Sequence, residues 1–454
     1  MKFTTTTLIS ILSSIVATKA SCTFDGGNYY CSETNKIIYK DIGFQGTYQD
    51  VTNMDETSGT CSQQSYSFSG NLSPLDEELS VHFRGPLALK QFGVYYPSSG
   101  SNQKKREINN EDCNTQHFHH KHKRATEIVE VTQTVFVDGN GNLVTSQQTS
   151  TSTEQPQVQQ PQVQSQSEQE TIAQPVTSAD IQNKAYRSLS TQSAPTTTSS
   201  TSSQSTETAN VGGAWERSSY YTPGSADNCV FLNYHGGSGS GVWSAAFGNS
   251  LSYANSDNSG GSSSPVALED ITIKSNNEFV IMSGQKCSGS SCGYYRSGSV
   301  AHHGFGGNSK IFVFEFEMPS DNSGSGFNVD MPAIWLLNAK IPRTLQYGDA
   351  SCSCWKTGCG ELDLFEILST GSNKLISHLH DGQGAASNSN NGGGGSQDYF
   401  VRPTSGTLKA AVIFSGNEIH IVQVDDSTSF DGSLDEDTVN GWLNQSGSLA
   451  TIGY

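Results

Sequence analysis

Positive charge is scarce in this chain. Its 454 residues carry 25 Lys and Arg against 43 Asp and Glu, a net charge of −18. That balance argues against nucleic acid and anionic lipid as partners and suits a neutral polysaccharide. Long apolar runs are also lacking. The one candidate, Leu8–Val16, is too short to cross a bilayer. With Lys2 ahead of it and Thr18-Lys-Ala20 behind, residues 1–20 read as a signal peptide cut before Ser21. The ending Ala450-Thr-Ile-Gly-Tyr454 has no hydrophobic tail, so secretion without a membrane anchor is expected. No long helical periodicity stands out, and no D-x-D-x-D-G calcium loop is present. Hydrophobic residues make up only 33%, while Gly is plentiful at 46. Such a composition fits β-rich, loop-rich secreted domains plus a disordered part.

What is present divides the chain. Residues 21–112 hold Cys22, Cys31 and Cys61, and four short β-prone runs separated by Gly, Pro and Ser: Lys36–Lys40, Ser65–Ser69, Leu79–Phe83 and Phe92–Tyr96. They predict a small, separate β-rich domain with disulfides. Tyr29, Tyr30, Tyr95 and Tyr96 are read there as core and rim tyrosines, with stacking on sugar rings as the alternative. Asn71-Leu-Ser73 and Asn444-Gln-Ser446 are N-glycosylation sequons at Asn71 and Asn444. Two dibasic pairs, ending in Arg106 and Arg124, bracket a His-rich tract at 117–122, and residues 113–124 read as an exposed processing segment. Residues 125–212 change character. No aromatic occurs between Phe136 and Tyr186, and 13 of the 20 residues from Thr191 to Asn210 are Ser or Thr. Such a segment cannot bury enough apolar area to offset its ordering entropy, so a disordered, O-glycosylated linker is expected. Only Glu127–Val137 alternates enough for a short strand.

Residues 213–454 suit one large β-sandwich. Their six cysteines allow fifteen pairings. Cys287 and Cys292 are placed to close a small loop, and Cys352, Cys354 and Cys359 crowd together. A zinc site there is disfavoured, because secretion favours disulfides and C-x-C lacks the usual zinc spacing. No metal and no cofactor is expected.

The chemistry is concentrated in Glu361-Leu-Asp363-Leu-Phe-Glu366-Ile-Leu, three carboxylates among β-prone apolar residues. In a strand Glu361 and Asp363 share a face, and Glu366 has the wrong parity. One β-bulge between Asp363 and Glu366 would bring it back. Like charges along one groove raise one another's pKa, so one carboxyl can stay protonated beside an ionised neighbour. Glycoside hydrolysis needs that pair of states. The plain alternatives are a solvated acidic edge or a calcium site, for which a stiff strand makes a poor cage.

The E-x-D-x-x-E stretch resembles the catalytic strand of glycoside hydrolase family 16 enzymes of the laminarinase type. Trp355…Gly360-Glu361 is similar to that family's W-P-x-x-G-E, with Lys356 where proline is usual. Asp330-Met-Pro-Ala-Ile-Trp335-Leu-Leu resembles its W-P-A-F-W-L-L strand, and Ile311–Pro319 the strand before it. The whole chain resembles fungal cell-wall proteins of the target-of-SBF type. The resemblance implies an all-β protein with a β-jelly-roll domain over 213–454, active on cell-wall β-1,3-glucan by a retaining double displacement. It implies Glu361 as nucleophile, Asp363 as the tuner of its neighbours' protonation, and Glu366 as general acid and base. Trp355, Trp335 and His380 are candidate contacts to sugar; Trp335 also reads as core, and His380 as a structural histidine. Transglycosylation of glucan, or a non-catalytic structural role in the wall, are the alternatives, since the loops are unusually Gly- and Ser-rich and the likeness is confined to short motifs.

Overall fold

The computed structural model describes residues 22–26, 28–98, 215–384 and 392–452. The expected signal peptide, both dibasic pairs with Arg106 and Arg124, Cys113, and the whole of the 125–212 and 385–391 stretches lie outside them.

Fourteen strands carry the architecture: β1 (Lys36–Tyr39), β2 (Gly46–Asp55), β3 (Thr60–Phe68), β4 (Leu79–Arg84), β5 (Ala88–Pro97), β6 (Trp215–Thr222), β7 (Cys229–Asn233), β8 (Glu278–Ser283), β9 (Lys310–Glu317), β10 (Ala333–Asn338), β11 (Glu361–Glu366), β12 (Lys374–His380), β13 (Leu408–Ser415) and β14 (Glu418–Gln423). Two sheets form a sandwich. The front sheet runs β7-β8-β4-β10-β11-β12, with short strands added at both ends, and the back sheet runs β6-β5-β9-β13-β14-β1. The strand pairs named here are antiparallel.

Period-two patterning explains which faces meet. Leu79, Val81 and Phe83 of β4, Ile334 and Leu336 of β10, and Phe312, Phe314 and Phe316 of β9 point into the shared core. The β9 run is apolar on both faces because Ile311 and Val313 point the other way. There they meet Val439 and Trp442 of helix α1 (Glu436–Asn444), which covers the outside of the back sheet. Asp435 caps that helix by accepting from the Thr438 N–H at 2.6 Å. At its other end Lys36 Nζ, fully buried, donates to the carbonyls of Trp442, Leu443 and Gln445 at 2.7–3.1 Å. A cation there also complements the helix dipole.

The expected separate domain at 21–112 is therefore not what forms. Its strands are real, but β4 sits between β8 and β10 in the middle of the front sheet, β5 between β6 and β9, and β1 beside β14. The physical reason is burial: β4 and β5 have a fully apolar face that a four-strand unit could not cover, and the 215–452 strands leave a gap that takes them. Pro97, at the end of β5, lies directly opposite Trp215, at the start of β6. The two strands pair as a hairpin whose arms are joined through residues 98–214.

The remaining first-segment strands, β2 and β3, pair only with each other. Tyr48 and Phe68 of this ribbon pack on Trp335, Leu337 and Ile341 beside the front sheet. Cys61 of β3 is bonded to Cys352, across the two halves of the sequence, so the pairing within 213–454 alone is not realised. Cys22–Cys31, Cys287–Cys292 and Cys354–Cys359 are the other bonds, and Cys229 is a free, buried thiol.

Phe83 shows how much the fold depends on β4. It is fully buried and stacks on Phe279 of β8 at 4.5 Å between ring centroids. Phe83→Ala is expected to cost about 3–5 kcal/mol, read as a lower denaturant midpoint with an unchanged slope.

Candidate active site

The front sheet's outer face holds the site. Leu362, Leu364 and Phe365 of β11, and Ile367 just after it, all point into the core. Two successive inward residues, Leu364 and Phe365, are possible because the strand bulges there. Pairing to β12 shifts register between Asp363 and Glu366, and pairing to β10 shifts where Trp335 meets Asp363. The bulge returns Glu366 to the outer face with Glu361 and Asp363. All three carboxylates line one cavity of about 240 Å³ together with Trp335, Trp355 and Arg84. Leu337, Ile341, Gln346 and Tyr347 complete its walls.

Each acid has its own surroundings. Glu361 follows Gly360, whose φ of +108° suits glycine, and a Cβ at Gly360 would lie 2.9 Å from Leu75 Cδ2. Cys354–Cys359 closes the loop before it. The Glu361 carboxylate accepts a hydrogen bond from Trp355 Nε1. Burial, and then the charge of Asp363, push Glu361 up to about 8. Asp363 is 7% exposed, and burial together with the charge of Glu366 holds its carboxyl well above the usual range. His380 Nε2 stands 3.4 Å from Asp363 Oδ2, and Arg84 Nη2 3.2 Å from Glu366 Oε1. Arg84 is itself fixed, its Nε donating to the Met331 carbonyl at 2.8 Å.

The proton count follows. Glu361 and Asp363 both resist ionisation, so these two carboxyls share protons and titrate as a pair. A proton on Asp363 removes the charge nearest Glu361, and Trp355 Nε1–H and His380 then favour the Glu361 carboxylate. The Asp363 backbone is held from behind. Ser377 Oγ donates to its carbonyl at 2.6 Å, and the Tyr39 hydroxyl, reaching from the back sheet, donates to Ser377 Oγ at 2.8 Å.

Trp335 is 5% exposed, stacked on His82 with centroids 5.2 Å apart, and forms part of the cavity wall while packing as core. Burial lowers His82 to about 3, so it is neutral at any working pH. Trp355 is 47% exposed on a short 3₁₀ turn, with its ring 6.4 Å from that of His380. His380 and Trp355 also line a second cavity of about 340 Å³, floored by Gly392 and Gly393. Asn71 and Asn444 are both exposed. Sequence reading missed Arg84 and Tyr347, both in the cavity. Arg84 carried a signal, the basic end of the alternating Leu79-Ser-Val-His-Phe-Arg84 strand, but that strand was assigned elsewhere. Tyr347 sits in a loop with no motif around it; its hydroxyl donates to Glu278 at 3.0 Å.

The raised carboxyls carry a stability consequence. A folded-state pKa above the unfolded one stabilises the fold at low pH, and that stabilisation is lost as pH rises through the folded value. For Glu361 the window runs from about 4.5 to about 8. Glu361→Gln is therefore expected to raise Tm at pH 8, by roughly 2–4 °C for each kcal/mol of relieved penalty, and to change nothing at pH 4. Thermal melts at the two pH values check it.

An antiparallel sandwich with three carboxylates and two tryptophans in one groove of a bulged strand has the build of a carbohydrate-active enzyme. The comparisons with known proteins are more specific. Residues 213–442 match the family model described as cell wall protein YJL171C/Tos1, C-terminal, and residues 35–97 its N-terminal counterpart. The chain belongs to this Tos1 family of cell wall proteins. A Candida albicans relative, named probable circularly permuted 1,3-beta-glucanase TOS1, is 70% identical over the whole of both chains. A Saccharomyces cerevisiae relative of the same name is 54% identical over 99% of each. One from Arthroderma benhamiae, named probable circularly permuted 1,3-beta-glucanase, is 35% identical over 89% of this chain and 87% of its own. No solved structure matches.

Proposed function

We propose that this protein is a retaining endo-β-1,3-glucanase of the fungal cell wall, with the site chemistry of glycoside hydrolase family 16. The observation that carries this reading is the bulge in β11, which brings Glu361, Asp363 and Glu366 to one face of one cavity beside Trp335 and Trp355. The names of the relatives supply the linkage class.

In the first step a Glu361 carboxylate oxygen attacks the anomeric carbon. The glycosidic C–O bond breaks, and Glu366 gives its proton to the departing oxygen. A glycosyl ester on Glu361 remains. In the second step Glu366 takes a proton from water, the water oxygen attacks the same carbon, and the ester bond breaks. Two inversions give net retention. Asp363 stays protonated when Glu361 is ionised, so it places no second charge beside the nucleophile. Trp355 offers an exposed ring to a sugar face and Trp335 a buried wall. His380 contacts Asp363 and reaches the adjoining cavity.

Purified full-length protein incubated with soluble laminarin tests the reading. Shorter products are expected. Longer products would assign transfer to another glycan in place of water, and no change in chain length would leave a glucan-binding wall protein. Cleavage after Arg106 and Arg124 during secretion is proposed on their sequence setting alone. Terminal sequencing of secreted protein from a host with its processing protease would refute it by finding the chain intact across both sites.

A further inference from the structure

The groove does not stop at the acids. A row of paired residues crosses the front sheet from His82 to Trp335, Asp363, His378 and Gly395. Strands lie about 4.8 Å apart, so this row spans roughly 19 Å and exceeds one sugar ring. The cavities follow it. Trp355 is common to the first and second, and His378 is common to the second and a third of about 350 Å³. Gly395 keeps the floor bare between them, since a Cβ there would lie 2.9 Å from His378 Nδ1.

The far wall of the third cavity is a small hairpin, Thr23–Asp25 paired with Asn28–Tyr30 and closed by Cys22–Cys31. It is pinned in place. The Cys31 N–H donates to the Gln397 carbonyl at 2.8 Å, the Ser32 N–H to Asp398 Oδ1 at 2.9 Å, and Ser369 Oγ to the Gly26 carbonyl at 3.2 Å. Alternation then divides its tyrosines. Tyr30 is 1% exposed and packs edge-on to Tyr399 at 6.2 Å. Tyr29 points out, 56% exposed, with Phe24 opposite it, 64% exposed, their rings 4.8 Å apart. Two large rings thus stand side by side in solvent, forgoing part of the apolar burial that a merely structural hairpin would use. Asn28 and Gln397 flank Tyr29 in the cavity with amide donors and acceptors. An aromatic face with amides at its edge matches a pyranose, which offers C–H bonds on its faces and hydroxyls around its rim.

We propose that the Cys22–Cys31 hairpin is a distal sugar-binding platform, with Tyr29 as the stacking ring, Phe24 as its brace and Asn28 as a hydroxyl partner. It takes units of the β-1,3-glucan chain beyond those at the acids. The inference rests on the glucanase reading for the identity of the ligand, while the platform's binding is measurable without turnover. It gives the amino-terminal hairpin a role in substrate length preference.

The test uses full-length Tyr29→Ala, with Tyr29→Trp as the conservative replacement. On polymeric laminarin the alanine variant is expected to show KM raised about tenfold with kcat unchanged, the size of a lost aromatic contact. On a short chromogenic β-1,3-glucoside both constants should match wild type, and Tyr29→Trp should restore the polymer KM. Native electrophoresis through laminarin-containing gel reads binding directly, and Tyr29→Ala should be less retarded than wild type. Unchanged KM and unchanged retardation would overturn the platform while leaving the glucanase reading intact. A wild type that is retarded but turns nothing over, with Tyr29→Ala released, would keep the platform and remove the glucanase. A wild type neither active nor retarded overturns both.

Discussion

Glu361→Gln and Glu366→Gln will each leave a folded protein that no longer degrades β-1,3-glucan, and the two will fail differently. Both side chains face the cavity at partial exposure, so an amide keeps the shape and removes only the ionisable group. Without Glu361 there is no nucleophile, and no ester can form. A small anion such as azide, entering the space, should restore turnover and yield the inverted product. Without Glu366 the leaving oxygen receives no proton. The loss should be roughly 10²–10⁴-fold on glucan and much smaller with aryl leaving groups that depart unprotonated. Asp363→Asn should be milder, because Asp363 sets its neighbours' protonation and forms no bond to substrate. Wild-type turnover in both glutamine variants would refute the assignment.

The second large effect concerns folding. Residues 213–454 expressed alone should not give a soluble domain, because the front sheet would lack β4 between β8 and β10 and the back sheet would lack β5 between β6 and β9. Unpaired inner strand edges are templates for aggregation. Adding residues 22–98 as a second chain should restore solubility and activity. Conversely, replacing residues 99–213 by a short turn should leave a folded, active protein, since Pro97 and Trp215 already face each other. Soluble, active 213–454 on its own would show that the amino-terminal strands are dispensable.

How far the sequence could be read depended on the range of the interaction. The bulge was legible from Asp363 and Glu366, because three acids on one apolar strand have only one arrangement that keeps all of them out of the core. The strands β1 and β4, and the second half of β5, were legible as short β-prone runs bounded by Gly, Pro and Ser. Their partners were not: a strand's hydrogen-bonding edges are the same backbone whatever its sequence, and β4 pairs with residues some 200–250 positions away. Arg84 was lost to the site for that reason. Cys61–Cys352 was hidden for the same reason, since its partners are 291 positions apart and meet only through the strand pairing. None of β2 was legible, because Gly46-Thr-Tyr-Gln-Asp-Val-Thr-Asn-Met-Asp55 is too polar to alternate cleanly, as befits a ribbon that buries few of its side chains. Tyr29 and Tyr30 could not be told apart in a row of tyrosines until the hairpin fixed which one faces inward.

The hairpin between β5 and β6 changes what it means for this molecule to be one chain. Its arms are adjacent in the sheet, so the covalent path through residues 98–214 keeps the two pieces at high mutual concentration while they assemble. Loop-closure cost grows slowly with length, which lets that path be long. Cut after assembly, the protein would become a heterodimer of interleaved strands, with Cys61–Cys352 as the covalent join among the described residues. Such a molecule would remember its history. Intact, it could unfold and recover as a unimolecular event; once cut and reduced, its recovery would depend on dilution, and in the open volume outside a cell that step is effectively one-way.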